Sequence, residues 1–382
     1  MKLHESRRYC ECKHKDDLLL TIADSDFNIA SGIKKDLIKR IKQGNIDYTF
    51  LNFKMIDAIN FWYKYRYQSK INFNFTNEEI IFGSGVIHLM QNAIKTLSKV
   101  GDGIIIQSPV YDPFTEIIIN KNRKVINNDL IYNENNGLWT INFLDLENKM
   151  RDSNNKILLL CSPHNPVGRV WTEEELLKIL ELSLKYNIFV ISDEIWQDIV
   201  FNEYVHKPLF ILNKKYNKNI FVVSSQSKTY NLGGTQIGYG ICWNREIMNK
   251  MKKNLVADIH YASSNFLSAC CLISGYKNPI NFKWYKLYIK QITYNFWFLK
   301  NNLEKNTKIK VSFAQGLYLA LLDVKLVVKN EQELKEILKK NHVNCTIGSI
   351  YGKKYWHFLR VDYSIGKNDL KELIKRFQKI FS

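Results

Sequence analysis

KILLLCSPHNPVGRVWTEEELLKIL, residues 156–180, holds the fold in miniature. Its apolar run ILLL does not alternate with polar residues, as expected of a strand covered on both faces inside a parallel sheet. A polar turn, Ser162 to Pro166, follows at the strand's carboxyl end. Thr172 then stands three residues before Glu175, a capping box that opens a helix reaching about Tyr186. The same rhythm extends in both directions. Upstream lie EEIIFGSG (78–85), the helical run VIHLMQNAIKTLSKV (86–100) and GDGIIIQSPVY (101–111); downstream lie IFVISDE (188–194), NIFVVSS (219–225) and QIGYGICW (236–243). Strands that alternate with helices predict a doubly wound α/β domain with a mostly parallel sheet, from about Phe50 to Gly275.

Beyond it the texture changes to aromatic and lysine-rich stretches such as NFKWYKLYIKQITYNFWFLKNNL (281–303), then KIKVSF, GLYLALLDV, a helix around Glu331 to Lys340, HFLRVDY and an amphipathic helix from Lys367. The expected organisation is an N-terminal segment (1–30) packing with the small domain, a large α/β domain (31–275) and a smaller α+β domain (276–382). The aromatic helix reads as core or domain interface, because aromatic residues at helical spacing serve packing more often than base stacking.

Composition fits two folded domains: 382 residues, 46% apolar and 24% charged. The net charge of +18 is spread along the chain, with no basic arm and no run of five like charges, so nucleic acid is not the expected partner. Seven scattered cysteines fit reduced thiols better than a disulfide framework. No run reaches the roughly 18 apolar residues of a membrane helix, and the first residues hold no apolar core of signal-peptide length. A cytoplasmic location is the expectation. His4, Cys10, Cys12 and His14 crowd the N-terminus, but no second cluster completes a zinc pattern, so this stretch reads as a mobile tail and no metal is expected.

In open α/β sheets, ligands gather beyond the carboxyl ends of the strands. The polar residues at those ends are Gly83-Ser84-Gly85 at the mouth of a helix, Ser162-Pro163-His164-Asn165, Asp193-Glu194, and Gln226-Ser227-Lys228. A turn whose helix amides attract an anion, an amide, a carboxylate and a lysine would share one crevice. Taken singly, each has a plain reading: Asn165 as turn former, Asp193 as cap or ion-pair partner, Lys228 as that partner's cation.

Together these segments carry a resemblance. Ala23-Asp24-Ser25-Asp26-Phe27, Tyr48-Thr49, GDGIIIQSPVYDPF (101–114), CSPHNPVGRVW (161–171), SDEI (192–195), SKTYNLGG (227–234) and LRVDY (359–363) span most of the chain, and PHNPVGRVW is the most specific string. On them the chain resembles the fold-type I pyridoxal-phosphate enzymes of the aminotransferase superfamily, and within it the cystathionine β-lyase branch, the MalY/PatB carbon–sulfur lyases. The resemblance implies an aspartate-aminotransferase-like fold, pyridoxal 5'-phosphate as cofactor, an amino-acid substrate, and a homodimer with shared active sites.

It also implies roles. Lys228 would join the cofactor aldehyde covalently and remove the substrate's Cα proton. Asp193 would pair with the ring nitrogen, Asn165 would donate to the ring oxygen, and Tyr111 would stack on the ring as a catalytic residue. Trp196 would bind the cofactor too, its indole N–H able to donate to the ring oxygen. Gly85, the amides of Val86 and Ile87, Ser225, and Tyr48 reaching across from a second subunit would hold the phosphate. Arg360 would grip the substrate α-carboxylate with its planar fork, beside Asn165 and Asp24.

Three residues depart from the branch's pattern. Trp196 stands where His, or Tyr in aminotransferases, is usual; Ser25 replaces an apolar residue; and Asp362 replaces Asn two positions after Arg360. The expected reaction is β-elimination of a thiol from a β-sulfur amino acid such as cystathionine or cysteine, giving pyruvate and ammonia. An aminotransferase shares every residue named and is the alternative. A catalytically idle regulator on the same fold is disfavoured, because Lys228, Asp193, Asn165 and Arg360 are all present and no helix-turn-helix precedes them.

Overall fold

The computed structural model describes residues 6–46, 52–67, 73–259 and 265–381. In chain order its strands are β1 (Leu18–Leu19), β2 (Ile80–Gly83), β3 (Gly103–Ile106), β4 (Lys124–Asn127), the hairpin β5 (Ile131–Asn133) and β6 (Leu138–Thr140), β7 (Asn155–Cys161), β8 (Phe189–Asp193), β9 (Ile220–Ser224), β10 (Gly238–Ile241), β11 (Lys310–Val311), β12 (Leu319–Asp323), β13 (Val343–Asn344), β14 (Thr346–Ile347) and β15 (Phe358–Asp362). The main sheet has seven strands in the order β2-β10-β9-β8-β7-β3-β4. Only β10 runs against the others.

The unalternating apolar runs are explained by two cores, one on each face of this sheet. Along β7, Leu158 and Leu160 enter one core while Ile157, Leu159 and Cys161 enter the other, following the two-residue period of a strand. Helices cover both faces. The one after β7 spans Glu173–Lys185, and its capping box is present: the Thr172 hydroxyl accepts from the Glu175 amide at 3.2 Å and the Glu175 carboxylate accepts from the Thr172 amide at 2.8 Å.

A second, four-stranded antiparallel sheet, β11-β12-β15-β14, carries Arg360 on β15. The aromatic stretch forms the 28-residue helix Pro279–Asn306, which buries Phe282, Tyr285, Tyr288, Phe296 and others. Tyr285 packs edge-on to Trp62 of the helix Asn52–Tyr67, and Phe296 packs against both Phe201 and Tyr363, so this helix is core, as its pattern predicts.

The N-terminal tail expectation is corrected. Residues 7–10 form a helical turn capped by Ser6, and Arg8 is buried. Its Nη1 pairs with Asp26 at 2.7 Å and its Nη2 with Asp362 at 3.1 Å. A guanidinium satisfied by two carboxylates on distant segments fixes the chain that carries it. Farther on, β1 pairs in parallel with β13, and the His14 ring stacks on His342 at 4.2 Å. Cys10 and Cys12 remain exposed, and among the described residues no group of three or more His, Cys, Asp or Glu side chains is placed to hold a metal ion.

Candidate active site

The carboxyl ends of β2, β3, β7, β8 and β9 all open on one side of the sheet, because these strands run in one direction. β2, β7, β8 and β9 deliver the four polar segments picked out in the sequence, and β3 leads to Tyr111. After β2, Gly85 with φ +88° ends the turn and the helix Val86–Leu97 begins with no side-chain cap. The first amides of that helix, Val86 and Ile87 among them, therefore face an anion site with the positive end of the helix dipole behind them. Gly238 on β10 lies against this turn: a Cβ there would come within 2.7 Å of the Gly85 carbonyl carbon and 2.9 Å of the Val86 nitrogen. Only glycine leaves the cradle its shape.

Tyr111 after β3 and Asn165 after β7 are joined through their backbones, the Tyr111 amide donating to the Asn165 carbonyl at 3.0 Å. The Asn165 side chain is buried, and its Oδ1 has no hydrogen-bond partner among the described residues. An amide oxygen buried without a donor is costly and marks an incomplete spot in the packing. Tyr111 is half-buried, and burial, with the Asp193 carboxylate nearby, pushes its phenol up to about 12, so the hydroxyl keeps its proton.

Asp193 ends β8, fully inside. One carboxylate oxygen accepts from the Ile195 amide at 3.1 Å, and the other accepts no hydrogen bond among the described residues. Burial pushes this carboxyl up to about 7, with the neighbouring Glu194 adding to the rise. Lys228, after β9, is its cationic counterpart. Its Nζ donates to the Ala23 carbonyl at 2.8 Å and lies 5.4 Å from the centre of the Trp196 ring. Burial lowers the affinity of this amine for its proton, while the Asp24, Asp362 and Asp193 carboxylates raise it and Arg360 lowers it.

Trp196 is buried edge-on to Tyr318, ring centres 4.7 Å apart. Arg360 is buried too; its Nη2 donates to the Thr21 carbonyl and to the Thr346 hydroxyl, and its Nε has no partner. Ser225 is less available. Its hydroxyl donates to the Ile237 carbonyl at 2.6 Å and accepts from the Ser227 amide at 3.1 Å, so it could offer a proton to a phosphate only by releasing Ile237. Tyr48 lies outside the described residues.

Sequence reasoning placed Asp24 in this site but missed the backbone carbonyls of the segment before Phe27. The Asn231 side chain, three residues after Lys228, donates to the carbonyls of Ser25 and Phe27 at 2.8 and 2.9 Å and accepts from the Ser25 amide at 3.0 Å. Carbonyls of that segment, at Thr21 and Ala23, thereby reach Arg360 and Lys228. Backbone acceptors leave no trace in residue type. Asp24 places its carboxylate near Lys228 from the same segment.

A lone carboxylate oxygen, a buried amide, an uncapped helix start and a lysine of lowered basicity are groups of the kind that a ring nitrogen, ring oxygen, phosphate and aldehyde of pyridoxal 5'-phosphate would need.

Comparison with known proteins agrees with this reading. The family described as aminotransferase class I and II matches residues 35–377. Cystathionine beta-lyase PatB of Bacillus subtilis (strain 168) is 29% identical over 372 residues, 96% of this chain and 93% of that protein. Protein MalY of Escherichia coli (strain K12) is 26% identical over 94% of this chain and 90% of its own length. Cystalysin from Treponema denticola, solved with pyridoxal 5'-phosphate, superposes with a TM-score of 0.92 at 29% identity, covering 99% of this chain and 96% of that one.

Proposed function

This chain belongs to the aminotransferase class I and II family, and from that premise we propose that it is a pyridoxal-phosphate-dependent carbon–sulfur β-lyase. It removes a thiol from an amino acid bearing sulfur on Cβ and yields pyruvate and ammonia. The observation that carries the reading is the placing of Lys228 and Asp193 at adjacent strand ends, Asp193 buried and Lys228 half-buried, each with a single hydrogen bond from its charged group, in a chain similar to PatB and MalY along nearly its whole length.

When bound, the cofactor supplies an aldehyde that combines reversibly with amines and a protonated ring that draws electrons from the amino acid's Cα. In this reading Asp193 holds the ring nitrogen's proton through its bare oxygen, and Asn165 gives its amide to the ring oxygen. Tyr111 covers the ring face and excludes water, and the amides of Val86 and Ile87 take the phosphate. Lys228 would hold the aldehyde and would accept the Cα proton at Nζ; burial keeps that nitrogen from being locked in its protonated form.

Arg360 would take the α-carboxylate, fixing which Cα bond stands ready to break. Overall the Cα–H bond breaks with its proton going to Lys228. The Cβ–S bond breaks with its electron pair leaving on sulfur, and water completes the release of pyruvate and ammonia. Trp196 can donate from its indole nitrogen but cannot shuttle a proton as histidine does. We assign the working enzyme to a homodimer in the cytoplasm, a reducing compartment suited to seven free cysteines; no helix among the described residues is long and apolar enough to cross a membrane.

The test is direct. Purified, cofactor-loaded protein given L-cystathionine or an S-alkyl cysteine should release pyruvate with no keto acid added. Turnover that appears only with 2-oxoglutarate would make it an aminotransferase instead.

A further inference from the structure

A cleft of about 510 Å³ lies between the end of the helix Asn52–Tyr67, the loop after β8 that runs from Val200 to His206, and the helix Pro279–Asn306. None of the described residues assigned above to the cofactor or the substrate lines it. Its charged lining has one sign. Arg66, Lys286 and Lys290 border the cleft and, among the described residues, no carboxylate does; Glu203 of the same loop stays outside the lining. The remaining ionisable ring there, His206, is engaged elsewhere, its Nε2 3.0 Å from the Glu194 carboxylate.

Arg66 is held at one edge and open at the other. Its Nε donates to Asp198 at 3.0 Å, and its guanidinium carbon lies 5.2 Å from the Tyr285 ring centre and 5.9 Å from that of Tyr67. Nη1 and Nη2 donate no hydrogen bond among the described residues, and the side chain is 22% exposed. A guanidinium fixed in this way is a fork already oriented for an oxyanion. Asp198 offsets its charge, but the two lysines keep the cleft positive. They stand four residues apart on one helix and so share a face, both are exposed, and neither has an ion-pair partner among the described residues. A fork and two ammonium groups ask for more acceptors than a carboxylate has, and a phosphoryl group offers three strong ones. The volume falls within the roughly 300–1,000 Å³ usual for small-molecule sites.

We propose that this cleft is a second ligand site, taking a small molecule that carries a phosphoryl group on Arg66, Lys286 and Lys290. Nothing in it depends on which reaction the strand-end crevice performs.

The probe is sodium pyrophosphate, titrated calorimetrically into cofactor-loaded protein, whose own phosphate cradle is filled, at about 50 mM salt so that screening is weak. It should bind at a single site per chain. The pair Lys286→Glu, Lys290→Glu should weaken binding by about tenfold or more. Arg66→Lys, which keeps a cation beside Asp198 but gives up the fork, should weaken it by about threefold or more. Lys371→Glu, Lys375→Glu makes the same charge change at the same spacing on the helix Lys367–Phe381, and it should bind within about twofold of wild type, because these lysines border no part of the cleft. Citrate, of similar charge but without phosphorus, should bind at least about fivefold more weakly. No binding by wild type, either cleft variant binding like wild type, an equal loss in the control pair, or citrate as tight as pyrophosphate overturns the proposal. If Arg66→Lys does not fold, the exposed lysine pair decides alone.

Discussion

Two carboxylates five residues apart, Asp193 at the tip of β8 and Asp198 in the turn after it, are equally buried and have opposite fates. Asp198 is saturated: Trp62 Nε1 donates to both of its oxygens at 3.0 and 3.2 Å, Arg66 Nε at 3.0 Å and the Thr229 hydroxyl at 2.7 Å. Glu194, between them, is likewise held by the Ser192 hydroxyl, His206 and the Leu209 amide, each at 3.0 Å. Asp193 has one amide. A charge whose partners all come from the protein is there to hold the chain, and Asp198 ties the helix Asn52–Tyr67 to the residue after Lys228. A charge left short of partners stands ready for a ligand, and its raised pKa is the physical record of that shortage.

The contrast can be broken in order of size. Lys228→Ala strikes the bare side hardest: pyruvate release should fall by about 10⁴-fold or more, and the protein should no longer hold its cofactor through a borohydride-reducible bond. Asp198→Ala strikes the saturated side. It strands three donors, one of them charged, and should cost about 3–5 kcal/mol in urea unfolding, while kcat of the protein that remains folded drops far less than in Asp193→Asn.

Asp193→Asn should cost about a hundredfold in kcat and has a second signature. In the cofactor-free protein the Asp193 carboxyl is pushed up to about 7 from an ordinary 3.8, so the folded state keeps a proton that the unfolded chain gives up. Its contribution to stability is greatest below about pH 4 and is lost as pH rises toward 7. Apo Asp193→Asn should therefore match apo wild type near pH 4 and exceed it near pH 8 in denaturant midpoint. Equal midpoints at both would show that Asp193 is not desolvated as described.

Smaller effects sharpen the edges of the comparison. Trp196→His restores the residue usual in the resembling lyases and should change kcat by less than about tenfold, while adding an ionisation to its pH profile that wild type lacks. Thr172→Ala, remote from the site, removes the helix cap and should cost about 1 kcal/mol with no change in kcat.

Much of this was legible in residue order. Unbroken apolar runs implied a sheet covered on both faces, Thr172 with Glu175 marked a helix start, and polar residues after each run implied a single crevice. Departures from a known pattern were legible too, among them Asp362 two positions after Arg360. The N-terminal turn was not legible, because Arg8 reads like any surface arginine until Asp26 and Asp362 are seen around it.

The sequence by itself determined the strand-helix rhythm, the lysine and the aspartate, because periodicity, capping and residue chemistry are local properties of the chain. Only the tertiary structure decided which buried charges are satisfied and which wait for a ligand. Desolvation and hydrogen-bond saturation depend on neighbours hundreds of positions away: Asp193 and Asp198 are the same residue in nearly the same stretch, and only the packing around them makes one an anchor and the other a site.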